Sequence, residues 1–268
     1  MKKLTKLGLI MVIGLSMFLA ACGSSETGGS GGEEKKTLKV VTDAAYAPME
    51  YLEGDKVVGF DVDFINAVAE EAGYELDIKH VGWDPIFVEI EDETADIAIS
   101  SITINDDRKQ TYDFSVPYYL STNKILIPED SDIQSGADLK DKVVAVQNGT
   151  TGQEVAESIL GKNNANIKKF ENNNLAIQEL LAGGADAVIA DNTVIEYYAS
   201  MNPDQKLKVI KDDSFAAEYY GLLFPKGSKL VSEFDEAINK VFDSGKYAEV
   251  YKEWFATEPD VENLKAQQ

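Results

Sequence analysis

Two stretches of the sequence share one pattern and together indicate the fold: E-T-A-D-I-A-I-S-S at 93–101 and G-G-A-D-A-V-I-A-D-N at 183–192. Each has an Ala-Asp dipeptide, a short apolar run and then polar residues, which is typical of a buried strand that opens into a loop. A second pair is alike, because L-K-V-V-T-D at 38–43 and D-K-V-V-A-V-Q-N-G-T-T-G at 141–152 also end in polar residues. The paired pattern predicts two lobes built on a similar plan.

Between the predicted strands, apolar residues recur at the spacing of helices. The predicted helices cover 62–72, 85–90, 153–160, 175–181, 193–200 and 230–242. Strands that alternate with helices favour an α/β architecture with largely parallel sheets. Ligands of such sheets bind outside the carboxyl ends of the strands. This rule predicts one region formed by Asp43, residues 100–103, residues 147–151 and Asp191.

The composition restricts the possible partners. The chain has 268 residues, of which 47 are acidic and 25 are basic, giving a formal net charge of -22. Nucleic acid is excluded as a partner because phosphate binding requires a basic surface. The acidity is interpreted as a contribution to solubility, and long-range attraction of a cationic ligand is the alternative that a local pocket would have to support. A single cysteine excludes structural disulfides within the chain.

The N-terminus has the pattern of a targeting segment. A basic start, M-K-K-L-T-K-L-G, precedes an apolar run too short to span a membrane comfortably. The run ends in L-A-A-C at 19–22, which resembles the bacterial lipobox, so residues 1–21 are predicted to be a lipoprotein signal peptide and Cys22 to be lipidated. Residues 22–36, rich in Gly, Ser and charge, are predicted to be a flexible tether. The body is expected at the outer face of the cytoplasmic membrane.

Known enzyme motifs are missing from the sequence. The only histidine, His80, lies in an alternating stretch that predicts a strand. No Cys–His or Ser–His pairing, P-loop, dinucleotide-binding fingerprint or His-rich metal spacing is present. The sequence therefore predicts no cofactor and no metal. Catalysis by a pair of carboxylates stays open at this point, because so many acidic residues always offer some pair.

One arginine is a candidate anion-binding group. Arg108 lies in the polar segment after the predicted strand at 93–101 and follows Asp106 and Asp107. It could pair with these acidic neighbours, or its planar guanidinium could hold a carboxylate. If it holds a ligand, the two aspartates are expected to orient or cap the segment.

Five further residues have two interpretations each. Thr150 and Thr151 precede a predicted helix, where they could cap it or help to hold an anion. Asp191 could bind an ammonium group or cap the helix that follows it. Tyr46 and Trp83 lie in polar loops and could be core residues or flat walls for a ligand side chain.

Five blocks, in order, carry a resemblance to a known family: V-V-T-D-A-A-Y-A-P-M-E-Y, G-F-D-V-D, A-I-S-S-I-T-I-N-D-D-R-K-Q-T-Y-D-F-S, V-A-V-Q-N-G-T-T-G-Q-E and E-V-Y-K-E-W-F. They resemble the extracellular solute-binding proteins of polar amino acid ABC importers over about residues 37–259. The resemblance implies the two-lobed periplasmic-binding-protein fold of type II. We expect a first lobe at 37–120 and 217–259, a second lobe at 121–216 and a C-terminal tail at 260–268. Crossings near 118–124 and 215–223 would allow hinge closure.

The resemblance also implies a clamp for the α-amino acid group. Arg108 would hold the carboxylate, together with the backbone N–H groups of Thr103 and Thr151. Asp191 would hold the ammonium, together with the Ser100 carbonyl and the Thr103 hydroxyl. Closure around the ligand would be the signal read by an ABC permease and its ATPase.

The remaining family positions concern the ligand side chain. Tyr46 and Trp83 would sandwich it, while Asp43, Ser101 and Gln147 would line its far end. A carboxylate between two rings suits a cation. Several blocks resemble arginine-type binders, so arginine, lysine, ornithine or histidine is the expected ligand. Glutamine is the alternative, although glutamine binders usually have a lysine where this chain has Gln147.

Two other classes of protein share this fold. An enzyme, such as a cyclohexadienyl-type dehydratase or a relative of murein lyases, would need an acid over the ligand or an added catalytic domain. The sensor half of a signalling receptor would need transmembrane and output segments. The receptor of an amino acid importer is the prediction that the sequence favours.

Overall fold

The computed structural model describes residues 36–268. The predicted signal peptide, Cys22 and all but the last residue of the predicted tether lie outside the described residues. None of the helices in residues 36–268 combines the length and apolar character that a membrane span requires.

The described residues form fourteen strands and nine α-helices. The strands are β1 (Thr37–Thr42), β2 (Ala45–Tyr46), β3 (Glu50–Glu53), β4 (Lys56–Val58), β5 (Glu75–His80), β6 (Ile97–Ala98), β7 (Asp113–Phe114), β8 (Tyr119–Pro128), β9 (Val144–Gln147), β10 (Ile167–Phe170), β11 (Ala187–Asp191), β12 (Leu207–Ile210), β13 (Ala217–Tyr220) and β14 (Leu223–Phe224). The helices are α1 (Phe60–Ala72), α2 (Trp83–Glu91), α3 (Asp106–Thr111), α4 (Thr151–Leu160), α5 (Asn173–Leu181), α6 (Asn192–Met201), α7 (Leu230–Asp243), α8 (Lys246–Phe255) and α9 (Val261–Lys265).

The strands are arranged in two large sheets and one small one. The first sheet has the order β5-β1-β6-β14-β7, and the second has the order β10-β9-β11-β8-β12, with β13 also paired to β8. Strands β2, β3 and β4 form the small sheet. The predicted α/β fold is confirmed. The sheets are mixed, not largely parallel, because β8 pairs antiparallel with β11, β12 and β13, and β14 pairs antiparallel with β6 and β7.

The repeated Ala-Asp dipeptides have the same role in both sheets. Asp96 precedes β6, and its Oδ2 accepts the backbone N–H of Lys39 in β1 at 2.8 Å. Asp186 precedes β11, and its Oδ2 accepts the backbone N–H of Val143, just before β9, at 2.7 Å. Each carboxylate satisfies a backbone donor at the start of the neighbouring parallel strand. The sequence repeat therefore reflects one strand-pairing arrangement used twice.

Both faces of the large sheets are buried. Val40 of β1 packs in the core that includes α1, α7 and α8, whereas Val41 packs in the core on the opposite face. In the second sheet, Val144 and Ala145 of β9 enter two different cores in the same way. Strands buried on both faces need apolar residues at every position, which explains the continuous apolar runs of the sequence.

The two predicted crossings contain β13 and the first residues of β8, which pair with each other in the register Tyr119↔Tyr220 to Thr122↔Ala217. The chain then returns to the first sheet through β14, and α7 and α8 pack in the same core as α1. Residues 260–268, predicted to be a tail, include α9. Leu264 of α9 is buried in that core, so apolar packing orders this segment.

The six predicted helices are present as α1, α2, α4, α5, α6 and α7, and all but α7 begin one or two residues earlier than predicted. Helix α3 was not predicted, because its six polar residues have no apolar periodicity. Its N-cap is Asn105, whose side chain accepts the Arg108 N–H at 2.9 Å. The expectation that Asp106 or Asp107 caps this segment was wrong.

Candidate functional site

One cavity lies at the carboxyl ends of β1, β6, β9 and β11, between the two large sheets. All eleven residues that the sequence predicts for a ligand site line it: Asp43, Tyr46, Trp83, Ser100, Ser101, Thr103, Arg108, Gln147, Thr150, Thr151 and Asp191. Gly152, Asn173 and Ala190 line it as well. The strand-end rule correctly predicted that Asp43, Asp191 and residues of the segments 100–103 and 147–151 lie in one region.

Arg108 reaches the cavity from α3. Its Nη1 donates to the Thr103 carbonyl at 2.9 Å and its Nη2 to the Gly149 carbonyl at 3.4 Å. Its Cζ lies 5.4 Å from the Trp83 ring centroid, a distance typical of a cation–π contact. Within residues 36–268 it forms no salt bridge, so pairing with its acidic neighbours is excluded. Burial lowers the pKa of the guanidinium, which still stays charged at physiological pH.

Asp191 ends β11 and occupies the N-cap position of α6, yet its side chain makes no capping hydrogen bond. Its Oδ2 accepts the hydroxyls of Tyr46 and Tyr220, each at 2.6 Å. Burial raises the pKa of the Asp191 carboxyl, and the two tyrosine hydrogen bonds oppose that rise. The capping interpretation of Asp191 is therefore wrong, and the carboxylate is held at the cavity wall.

Asp43 is a buried carboxylate at another point of the cavity, only 5 % exposed. Its Oδ2 accepts Gln147 Nε2 at 3.2 Å. His80, correctly predicted in a strand, ends β5 with Nδ1 3.8 Å from Asp43 Oδ1, although this Nδ1 accepts the Ala44 N–H. Burial raises the pKa of Asp43, and the Gln147 hydrogen bond opposes that rise. A cation beside Asp43 would replace the solvation that burial removes.

The two threonines before the predicted helix have different roles. Thr150 is the N-cap of α4 and accepts the Gln153 N–H at 3.4 Å, so the capping interpretation holds for this residue. Thr151 is the first residue of α4 and does not cap it. The Thr151 hydroxyl donates to Glu218 Oε2 at 2.8 Å.

The two aromatic residues belong to the cores and to the cavity wall at once. Tyr46 lies in β2 and Trp83 begins α2, so neither lies in a loop as the sequence suggested. Trp83 Nε1 donates to the Gly149 carbonyl at 3.4 Å, and its ring meets Phe87 edge to face at 5.0 Å between centroids. Core packing thus holds both rings at the cavity.

A pair of buried acids behind the cavity was not anticipated. Ser100 Oγ donates to Glu50 Oε1 at 2.8 Å, and the Ser101 N–H donates to Asp61 Oδ2 at 2.8 Å. Burial and the Asp61 carboxylate raise the pKa of Glu50 well above its ordinary value, and burial raises the pKa of Asp61 to about 6. Burial and the neighbouring Asp61 carboxylate thus favour the neutral form of Glu50. Ser101 has a left-handed backbone (φ 50°), and the hydrogen bond to Asp61 holds it there.

Asn173 is a second residue that the sequence did not indicate. Its Nδ2 donates to Gln147 Oε1 at 2.8 Å. That contact fixes the orientation of the Gln147 amide, so that its Nε2 faces Asp43. Only the fold reveals this residue, because an asparagine at the start of a helix is common.

Two large sheets, joined by paired crossing strands and enclosing a polar cavity, define a two-lobed binding protein. A family model described as bacterial extracellular solute-binding proteins, family 3, matches residues 38–257. The chain belongs to this family, as the sequence predicted, and the family consists of binding proteins.

Three similar proteins illustrate the relationship. A probable histidine-binding protein of Neisseria gonorrhoeae is 37% identical over 91% of this chain and 92% of its own length. The arginine-binding extracellular protein ArtP of Bacillus subtilis is 33% identical over 93% of this chain and 97% of its own. The crystal structure of the arginine-, lysine-, histidine-binding protein ArtJ from Geobacillus stearothermophilus is 51% identical and superposes with a TM-score of 0.84, covering 86% of this chain and 100% of that chain.

Proposed function

We propose that the protein captures a cationic L-amino acid, arginine first and otherwise lysine, ornithine or histidine, in the cavity between the lobes. The charges of the cavity wall carry this proposal: one guanidinium, Arg108, and two carboxylates, Asp43 and Asp191. The carboxylate of an α-amino acid matches Arg108 and its ammonium matches Asp191. A neutral side chain would leave Asp43 without a counter-charge, whereas a cationic one supplies it.

Contacts across the cavity support capture by closure. The Tyr46 hydroxyl donates to Asp191, the Trp83 indole donates to the Gly149 carbonyl, and Asp43 accepts the Gln147 amide. Each of these contacts joins the side of the first sheet to the side of the second. A ligand held by groups from both sides stabilises the closed form by its differential affinity for that form. The proposed lobes are 37–120 with 217–259, and 121–216, with the hinge at the crossings.

Glutamine is the second candidate ligand. Its side-chain amide could donate to Asp43 as the Gln147 amide does at 3.2 Å. It would leave the buried Asp43 carboxylate without a cation, which is costly for a buried charge. The similarity to arginine- and histidine-binding proteins also supports a basic ligand. We assign no enzymatic activity, because the proposed site clamps an amino acid without offering it a reactive partner.

Replacing Asp43 with asparagine should weaken arginine binding by about 1.5–3 kcal/mol, the range for hydrogen bonds to charged groups. Citrulline has the shape of arginine without its side-chain charge, so the substitution should weaken citrulline binding much less. Calorimetric titration of both ligands measures the difference. The control is Asp84→Asn, which removes the same charge from an exposed neighbour of Asp43. Equal losses for both ligands would show that Asp43 does not select side-chain charge.

The location of the protein belongs to the same proposal. The matched family is one of extracellular proteins, and the N-terminal sequence has a signal pattern that ends at Cys22. Lipidation of Cys22 would hold the body at the outer face of the cytoplasmic membrane. From there it would deliver its ligand to an ABC permease and its ATPase.

Cells fed labelled palmitate are expected to incorporate the label into the wild-type protein and not into Cys22→Ser. Two acyl signals give stable anchoring, so the wild type should sediment with membranes while Cys22→Ser should be recovered in the soluble extracytoplasmic fraction. A Ser24→Ala variant is the control. Label retained in Cys22→Ser would contradict the assignment.

A further inference from the structure

Glu218 lies behind the cavity wall, on the crossing strand β13. It does not line the ligand cavity. It lines a neighbouring groove together with Thr103 and Thr151, and both threonines also line the ligand cavity. The two threonines thus separate the half-buried Glu218 from the proposed ligand.

The Glu218 carboxylate accepts three hydrogen bonds. Its Oε2 accepts the Thr103 hydroxyl at 2.7 Å and the Thr151 hydroxyl at 2.8 Å. Its Oε1 accepts Asn123 Nδ2 at 2.6 Å. Thr103 follows β6 of the first sheet and Thr151 begins the helix after β9 of the second. One side chain on a crossing strand therefore joins both sides of the cavity.

These contacts decide what the threonine hydroxyls can offer a ligand. A hydroxyl has one hydrogen to donate. Because each O–H donates to Glu218, each threonine oxygen is left only as an acceptor, and the Thr151 oxygen already accepts Asn123 Nδ2 at 3.3 Å. An acceptor at Thr103 suits an ammonium group, which has three N–H donors and no acceptor.

We propose that Glu218 is a positioning residue, which in its ionised form fixes the Thr103 hydroxyl as an acceptor for the ligand ammonium and, through Thr151 and Asn123, joins the two lobes beside it. This role rests on the proposed function, since it needs an amino acid in the cavity. It makes ligand affinity dependent on the ionisation of a group that does not touch the ligand.

The surroundings of Glu218 place this ionisation near neutral pH. Burial and then the charge of Asp191 raise the pKa of Glu218 to about 7. The charged groups around it are Asp191 of β11, Glu154 of α4 and Arg108 of α3. A protonated Glu218 has an O–H donor in place of one acceptor site, so it cannot keep all three of the hydrogen bonds that the carboxylate accepts. Ligand affinity should therefore fall as the pH falls through about 7.

Protonation of Glu218 should lower ligand affinity but raise the free energy of unfolding of the ligand-free protein. A carboxyl whose pKa is raised in the folded state binds more protons there than in the unfolded state. The free energy of unfolding therefore decreases as the pH rises from the ordinary pKa of a glutamate to the raised pKa of Glu218, about 7. Removing this charge should not destabilise the ligand-free protein at higher pH. Lower affinity without a lower melting temperature would separate positioning from a purely structural role.

The test compares arginine affinity by calorimetry in the wild type, Glu218→Gln and the control Glu154→Gln, at about pH 8 and about pH 5.5. Wild type and Glu154→Gln should bind more weakly at the lower pH. Glu218→Gln should bind about 10-fold more weakly than the wild type at about pH 8, the loss of one charge-assisted contact, and its profile should be flatter. Asp43 and Asp191 are present in all three proteins, so the difference between profiles isolates Glu218.

Unchanged affinity in Glu218→Gln, or a weaker affinity with a profile parallel to the wild type, would overturn the role of Glu218. Failure of the wild type to bind any cationic amino acid at about pH 8 would instead overturn the proposed function, and this role with it. Glu218→Asp keeps the charge and should keep the pH dependence, so it provides the test if Glu218→Gln does not fold. Loss of the pH dependence in a folded Glu218→Asp would also contradict the proposal.

Discussion

Arg108→Ala is expected to abolish measurable binding of every α-amino acid. The guanidinium faces the cavity from α3 and makes no salt bridge with any residue of the described part, so its charge is free for a ligand carboxylate. Truncating one partner of a buried charge pair costs about 2–5 kcal/mol or more. The carboxylate is common to all α-amino acids, so arginine and glutamine should lose affinity alike. Calorimetry with both ligands measures this loss.

Two further variants make the Arg108 result specific. Lys109→Ala removes an exposed charge from the same helix and should bind as the wild type does. Arg108→Lys keeps the charge and loses the planar fork, so it should recover only part of the affinity. If Arg108→Ala bound arginine within about threefold of the wild type, a difference below about 1 kcal/mol, the carboxylate would be held elsewhere.

Asp191→Asn should weaken the binding of arginine and of citrulline by the same amount, about 2–5 kcal/mol, because both ligands present the same α-ammonium. The substitution is mild for the fold. The Asp191 side chain makes no capping hydrogen bond, so α6 should keep its start. An amide oxygen can also still accept a hydroxyl of Tyr46 or Tyr220. The loss is therefore one of charge at the cavity and should appear in calorimetry without a large fall in melting temperature.

Asp43→Asn is the matched comparison for Asp191→Asn. Both variants remove one buried carboxylate from the same cavity. Asp43→Asn should change the ratio of arginine to citrulline affinity, whereas Asp191→Asn should leave that ratio unchanged. A changed ratio in Asp191→Asn would mean that Asp191 faces the ligand side chain and not its ammonium.

The sequence was informative wherever local pattern determines structure. The Ala-Asp repeats at 93–101 and 183–192 mark equivalent strands because each aspartate accepts a backbone N–H of the neighbouring strand. Apolar runs such as the one ending at Asp43 mark strands buried on both faces. The carboxyl ends of those strands then placed the polar residues around one cavity.

Residues whose contacts lie far away in the sequence could not be predicted from the local sequence pattern. Glu218 and Thr103 are separated by 115 positions, and Asp61 and Ser101 by 40. The sequence around Glu218 does not distinguish it from the many solvated acids of this chain, and Asp61 lies in the block G-F-D-V-D without any local sign of its contact with Ser101. Helix α3 was missed for a different reason, since a short polar helix held by its Asn105 cap has no apolar face to detect.

A cationic side chain is expected to complete the charge balance of a cavity with Arg108, Asp191 and Asp43 in its wall. The most direct test is calorimetric titration of the wild-type protein with arginine, citrulline and glutamine at one pH. Arginine should bind more tightly than either neutral ligand by about 1.5–3 kcal/mol, the contribution of a charged hydrogen bond at Asp43. Equal affinity for arginine and citrulline, or a preference for glutamine, would show that the cavity does not select a cationic side chain.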